Sequence, residues 1–249
     1  MRAARETVGT RASTAGRREL ITPVGRSEEI GALRRVIEIG ASGRPTVALV
    51  LGASGIGKTT LIEEVLRLDA DAWRAAVVLR ATGDEAEVGL EFGVVDQLVR
   101  AAPLAATGRD RFTVPPRTAP LDAGAMLLRA FDDLALDVPL VMVIDDAHLA
   151  DDASLQALTF AARRLQDDAV TIVLLGRPEL VDRLPVGLGR LAQTTGGVVE
   201  LGGLDRDAVG ELAARVLGRP VSAAAAERLR SHTDGHPLHT RVLLSLIHI

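Results

Sequence analysis

The only lysine in this 249-residue chain is Lys58, and it stands inside Gly52-Ala53-Ser54-Gly55-Ile56-Gly57-Lys58-Thr59. The spelling G-x-x-x-x-G-K-[ST] constrains the fold strongly. Its glycines let the backbone turn so that successive N–H groups face phosphate oxygens. The lysine adds a mobile positive charge for the β- and γ-phosphates, and the hydroxyl is placed for Mg²⁺. The expected nucleotide-binding set is therefore Gly52, Ala53, Ser54, Gly55, Ile56, Gly57, Lys58, Thr59 and Thr60. Such a loop works between a buried strand that delivers it and a helix whose positive N-terminal end faces the same anion. Both are legible. Thr46–Leu51 is a short apolar run, and Lys58–Leu68 carries Leu61, Ile62, Val65 and Leu66 at helical spacing.

Strand-sized and helix-sized patterns alternate around this unit. Ser27–Ile39 reads as a helix, with Ile30, Leu33, Val36 and Ile37 on one side, broken by Gly43-Arg44-Pro45. Ala75–Ala81 reads as a second strand and Phe92–Ala101 as a helix. A proline-bearing loop follows over Pro103 to Pro120, then a helix over Leu121–Leu136. Leu140–Ile144 is a third strand, Ala153–Gln166 a helix, Val170–Leu175 a fourth strand and Val198–Leu201 a fifth. Strands joined by helical crossovers imply an α/β fold with a mostly parallel five-stranded sheet covered on both faces, the three-layer sandwich of P-loop NTPases. Ligands then bind at the carboxyl ends of the strands. After Leu204 the alternation stops. Asp205 is placed as an N-cap before Val209, Leu212, Ala213, Val216 and Leu217, and Gly218-Arg219-Pro220 ends that helix. A helix over Ser222–His232 and another from Pro237 complete a small helical lid domain. The expected organisation is a flexible tail over 1–20, a nucleotide domain over 21–203 and a lid over 204–243. Residues 244–249, LSLIHI, read as one frame of a sequencing-library adapter, so the natural chain is expected to continue differently.

Composition narrows the chemistry. With no cysteine, disulfides, thiolate metal sites and thiol nucleophiles are excluded. The net charge of −4 gives no sign of a nucleic-acid surface. Four phenylalanines, one tryptophan and no tyrosine leave the core to Leu, Val, Ile and Ala. The longest apolar runs are strand-sized, no signal peptide opens the chain, and the expected location is cytoplasmic without membrane contact. The preference for arginine over lysine matches GC-rich bacterial coding.

The second motif is Leu140-Val141-Met142-Val143-Ile144-Asp145-Asp146. A buried apolar strand ending in paired carboxylates is what a phosphate loop needs beside it. Asp145 is placed to hold Mg²⁺ together with Thr59, and Asp146 to orient or deprotonate a water near the γ-phosphate.

The stretch Asp145-Asp146-Ala147-His148-Leu149-Ala150-Asp151-Asp152 resembles the D-D-x-H-W-A-D segment of STAND-class, AAA-like P-loop ATPases. More closely, it resembles the nucleotide-binding region of large LuxR-family bacterial transcriptional regulators. Leu149 stands where that family carries Trp. Three further segments match it. Val24-Gly25-Arg26-Ser27-Glu28-Glu29 resembles the G-R-x-x-E motif near the adenine, which implies that Gly25 and Arg26 bind nucleotide. Gly176-Arg177-Pro178-Glu179 resembles the segment carrying a γ-phosphate-sensing arginine, which adds Arg177 to Lys58 and Asp146 as catalytic. Gly235-His236-Pro237-Leu238 resembles the G-x-P lid motif, whose proline, here Pro237, packs near the base. Read without the resemblance, Arg26 is a helix-start arginine, Arg177 a partner for an acidic neighbour, and His148 a structural hydrogen-bonder rather than a proton carrier.

The resemblance implies ATP/ADP and Mg²⁺ as cofactors and a slowly hydrolysing switch. It implies self-association under an inducer, and DNA contact only through a C-terminal module absent here. Two other readings compete: an AAA-like motor or loader that hydrolyses continuously, and a nucleotide-binding scaffold that does not hydrolyse. Asp146 argues against the scaffold. No N/T-K-x-D motif for guanine is present.

Overall fold

The computed structural model describes residues 23–68, 76–102, 114, 118–135 and 138–247. The expected tail, Ala75, most of the 103–120 loop, Leu136 and the last two residues lie outside the described residues. Five strands form one sheet: β1 (Thr46–Gly52), β2 (Val77–Thr82), β3 (Leu140–Asp145), β4 (Val170–Gly176) and β5 (Gly197–Leu201). Their spatial order is β2-β3-β4-β1-β5, and every pairing is parallel. α1 (Ser27–Ala41) leads into β1, and the crossovers are α2 (Lys58–Leu68), α3 (Gly93–Ala101), α4 (Pro120–Ala135) and α5 (Asp152–Ala162), followed by the short α6 (Leu180–Arg183) and α7 (Val186–Leu191). Three further helices, α8 (Arg206–Leu217), α9 (Ala223–Thr233) and α10 (Pro237–Ile247), form the C-terminal helical unit.

The sheet is apolar on both faces because alternate side chains of each strand point opposite ways. Leu49, Leu51, Met142, Ile144, Ile172 and Leu174 pack beneath α3, α4 and α5. Ala48, Val50, Val141, Val143, Val173 and Leu175 face α1 and α2. Each fully buried aliphatic side chain contributes about 1.5–3 kcal/mol. The central strands β1 and β4 are buried along their whole length, whereas β2 alternates towards solvent as an edge strand does. Two hydroxyls lie inside this layer. Thr46 Oγ1 donates to Thr171 Oγ1 at 3.1 Å beneath Gly40, where a Cβ would come within 1.9 Å of Thr171 Oγ1. No helix among the described residues is long and apolar enough to cross a membrane.

Local hydrogen bonding moves several boundaries from where periodicity sets them. The helix expected over Ala153–Gln166 stops at Ala162. Asp168 Oδ2 accepts the Gln166 amide at 3.0 Å, so a side chain competes for a backbone group the helix would need. Leu165 still packs against the core from the turn beyond. Phe92 is not the first helical residue of α3 but a left-handed residue before it, with φ 66° and a buried ring.

Asp151 accounts for that geometry. Its Oδ1 accepts the Ser154 amide at 2.7 Å, capping α5, and the Phe92 amide at 2.9 Å. Its Oδ2 accepts the Val94 amide at 3.3 Å, and Ser154 Oγ accepts that of Val95 at 3.1 Å. One buried carboxylate thus joins the N-termini of two helices. Asp151→Ala removes a cap and strands buried amides, so it is expected to destabilise the fold by about 3 kcal/mol. Urea denaturation checks this: the midpoint should fall at unchanged slope.

Candidate functional site

The loop of Lys58 turns on two glycines in the positive-φ region, Gly55 at 76° and Gly57 at 106°. A Cβ on Gly57 would meet nothing within 4 Å, which leaves open space over the start of α2. Lys58 begins that helix and is buried. Its Nζ donates to the carbonyls of Gly52 at 2.9 Å and Ala53 at 3.0 Å. Burial lowers its pKa, the nearby Asp146 and Asp145 oppose that, and Arg177 adds to it. A cradle of backbone turns, a helix N-terminus and an ammonium held on loop carbonyls suits a polyphosphate.

Beside the loop, Thr59 Oγ1 donates to Asp145 Oδ2 at 2.6 Å. This brings together two hard oxygen groups at the carboxyl ends of β1 and β3. Among the described residues no group of three or more His, Cys, Asp or Glu could hold a metal. Two protein oxygens, with the other positions left to water and phosphate, match the sparse protein ligation typical of Mg²⁺. The donor set therefore fits that ion.

Asp146 follows in a left-handed conformation, φ 44° and ψ 40°. Its amide donates to Asp145 Oδ1 at 2.9 Å. Gly83, at the end of β2, donates to the Asp145 carbonyl at 2.8 Å. A Cβ on Gly83 would lie 2.4 Å from the Asp146 carbonyl oxygen and 2.8 Å from the Ala150 amide, so only glycine allows this approach. Arg183 braces the same turn, donating to the carbonyls of His148 and Ala150 and pairing with Asp152 at 2.9 Å. Arg177, at the end of β4, is exposed, and its side chain makes no hydrogen bond or ion pair among the described residues. It is close enough to lower the pKa of both Lys58 and His148. For His148 burial is the largest cause of that lowering.

Opposite the sheet, a cavity of about 390 Å³ opens between the phosphate loop, the segment before α1 and the C-terminal helices. Its lining includes Pro23, Arg26, Gly55, Thr60, Leu204, Pro237 and Arg241. That volume lies within the range for small-ligand sites, about 300–1,000 Å³. Arg26 is buried and pairs with Glu29 at 2.9 Å, and it donates to the Gly202 carbonyl. It therefore ties α1 to the segment before α8 while lining the cavity. Gly25, at φ 61°, lets that segment approach α8, since a Cβ there would lie 2.4 Å from Ala208 Cβ.

The C-terminal helices grip the loop directly. His236 Nε2 lies 2.9 Å from the Ser54 carbonyl oxygen. A carbonyl only accepts, so Nε2 carries the proton, and Nδ1 faces the His239 amide at 3.4 Å. The two imidazoles stack with centroids 4.0 Å apart. Burial, then His239, lowers the pKa of His236, against the pull of the Ser54 hydrogen bond. His148 and His236 both have folded-state pKa values below the unfolded 6.5. The unfolded chain therefore binds more protons below about pH 6.5, and their contribution to stability, present above that value, is lost as pH falls from there through the lowered folded-state pKa values. The nucleotide-free chain should melt lower at about pH 5.5 than at pH 7.5, and His236→Gln should narrow the difference.

The structure thus gathers Lys58, Thr59, Asp145, Asp146 and Arg177 at one end of the sheet, with Arg26 and Pro237 lining the adjoining cavity and Gly25 next to Arg26 but outside that lining. Sequence reasoning missed Gly83, Asp151, Arg183 and Arg241. Arg241 had a usable signal, because four residues after Pro237 it shares a helix face. Arg183 had none.

The sequence matches the AAA ATPase domain family over residues 22–175. No curated protein matches it. Solved structures with a similar fold include Cdc6p from Pyrobaculum aerophilum, with TM-score 0.60 and 15% identity, covering 90% of this chain and 60% of that one. Domain III of the Thermotoga maritima replication initiation protein DnaA gives 0.55 and 16%, covering 90% and 83%. The Thermotoga maritima RuvB Holliday junction branch migration motor gives 0.51 and 19%, covering 89% and 61%. The chain spans about 60% of the length of the first of these. A phosphate loop after the interior strand β1 of a β2-β3-β4-β1-β5 parallel sheet, paired carboxylates at the end of β3 and the family match meet in one conclusion: the chain belongs to the AAA ATPase domain family.

Proposed function

We propose that this chain is the ATP-binding, slowly hydrolysing switch domain of a STAND-class regulator of the LuxR type. The observation that carries the reading is the hydrogen bond from His236 to the Ser54 carbonyl. It couples the helical lid to the backbone that would wrap the phosphates. The 204–243 segment acts as the lid, and the cavity between it and the loop takes the nucleoside. Lys58 releases the loop carbonyls to reach the β- and γ-phosphates, and Arg177 reads the γ-phosphate. Thr59 and Asp145 would hold Mg²⁺, which when bound would neutralise negative charge on the phosphates. Asp146 takes a proton from the water whose oxygen bonds the γ-phosphorus. The bond from phosphorus to the bridging oxygen breaks, and its electron pair leaves with ADP.

A swing between mostly off and mostly on needs about 5.5 kcal/mol of differential affinity between the two lid states. Contacts of Lys58 and Arg177 with a γ-phosphate that ADP lacks are the source of that difference. Control of self-association by an inducer, and of DNA through a further module, completes the proposal. Mg-ATP at about a hundred times its dissociation constant should stabilise the chain by about 2.7 kcal/mol in a thermal-shift assay. No shift would reject nucleotide binding. Slow turnover with retained ADP is the expected kinetic signature, and fast turnover in the isolated chain would favour the motor reading.

His236→Ala tests the coupling. Losing one hydrogen bond of about 1 kcal/mol is expected to weaken ATP binding about threefold to tenfold without abolishing it. Calorimetric titration of the variant checks this.

A further inference from the structure

Among the described residues, Nδ1 of His148 is the only fully buried side-chain polar atom without a hydrogen-bond partner. Buried polar atoms are almost always paired, so an orphan in a native fold calls for a reason. The ring cannot easily turn away. Only 9% of His148 is exposed, and Arg183 donates to its carbonyl. Its nearest acidic oxygen is Asp146 Oδ1 at 3.9 Å, too far for a hydrogen bond.

The Asp146 backbone is fixed at both ends. Its amide is bound by Asp145 Oδ1, and its carbonyl accepts the Leu149 amide at 2.8 Å against Gly83. Its carboxylate is half exposed and carries no hydrogen bond among the described residues. A buried ring nitrogen therefore faces a carboxylate with no hydrogen bond of its own across 3.9 Å.

We propose that His148 is a positioning residue for Asp146, donating Nδ1–H to Asp146 Oδ1 when nucleotide is bound so that the carboxylate is held towards the attacking water. This rests on the hydrolytic role given to Asp146 above. The protonation state suits it. Burial and the nearby cations Arg177 and Lys58 favour neutral imidazole, which has one proton to place, and the carboxylate draws it to Nδ1.

Three substitutions separate this from a packing role. His148→Asn sets an amide nitrogen close to the position of Nδ1, His148→Gln sets one close to Nε2, and His148→Leu keeps only bulk. Single-turnover and steady-state hydrolysis of Mg-ATP by the 249-residue chain are the readouts, beside ATP affinity. His148→Leu should lower kcat about 10- to 100-fold with affinity unchanged within about twofold, the scale expected when a reacting group is misplaced. His148→Asn should recover most of the loss and His148→Gln should not. Adding His148→Leu to Asp146→Asn should cost nothing more, since one residue acts through the other.

Unchanged kcat in His148→Leu, or equal losses in all three variants, would overturn the proposal. So would a parallel loss of affinity. If His148→Leu fails to fold, the contrast between Asn and Gln decides. Undiminished hydrolysis by Asp146→Asn would instead reject the role of Asp146. Slow Asp146→Asn beside normal His148→Leu would reject His148 alone.

Discussion

Lys58→Ala should weaken ATP binding at least about a hundredfold, equivalent to about 2.7 kcal/mol. The ammonium offers charge-assisted hydrogen bonds to phosphate oxygens, each worth about 1.5–3 kcal/mol. Against this stands the release of the Gly52 and Ala53 carbonyls it holds without nucleotide. With no other lysine in the chain, no neighbouring ammonium substitutes for it. The stability of the nucleotide-free chain should change by no more than about 1 kcal/mol, because burial already penalises the charged form of Lys58. A normal melt with lost binding is therefore the expected pair of results. Unchanged affinity by calorimetry would remove the loop from nucleotide binding.

Asp146→Asn should leave ATP binding nearly intact and slow hydrolysis about 10²- to 10⁴-fold, the range for removing a general base. The choice of asparagine is dictated by the backbone. Asp146 sits at φ 44°, a region that Asn and Asp tolerate far better than other side chains. Alanine there would add strain to the turn that carries Asp145, and lost activity would mix two causes. Asparagine keeps the turn and removes only the proton acceptor. Turnover equal to that of the unsubstituted chain would take Asp146 out of the reaction.

The sheet was legible because each interior strand is a short, largely apolar run between turn signals. Thr46, Leu140 and Val170 open strands that the structure places side by side. The phosphate loop was legible because its chemistry admits few spellings. Asp205 was legible as a cap, and its Oδ1 accepts the Ala208 amide at 2.8 Å. The segment between β4 and β5 was not. Val186-Gly187-Leu188-Gly189-Arg190-Leu191 is too short and glycine-rich to announce a helix, and what holds it is the burial of Leu180, Leu184 and Leu188 in the core. Asp151 and Gly83 were illegible for another reason. Their partners lie 59 residues away for Phe92 and across two strand ends for Asp146, and local pattern carries no trace of such meetings.

The grip of His236 on the loop passes through a backbone carbonyl, not through the Ser54 side chain. Every residue type supplies that acceptor. Position 54 is thus free to drift in evolution without loosening the clasp, whereas position 236 must keep a donor of matching reach. Diversity at the one and constraint at the other would be the imprint of this contact in a set of diverged sequences, visible without a single ligand-bound structure.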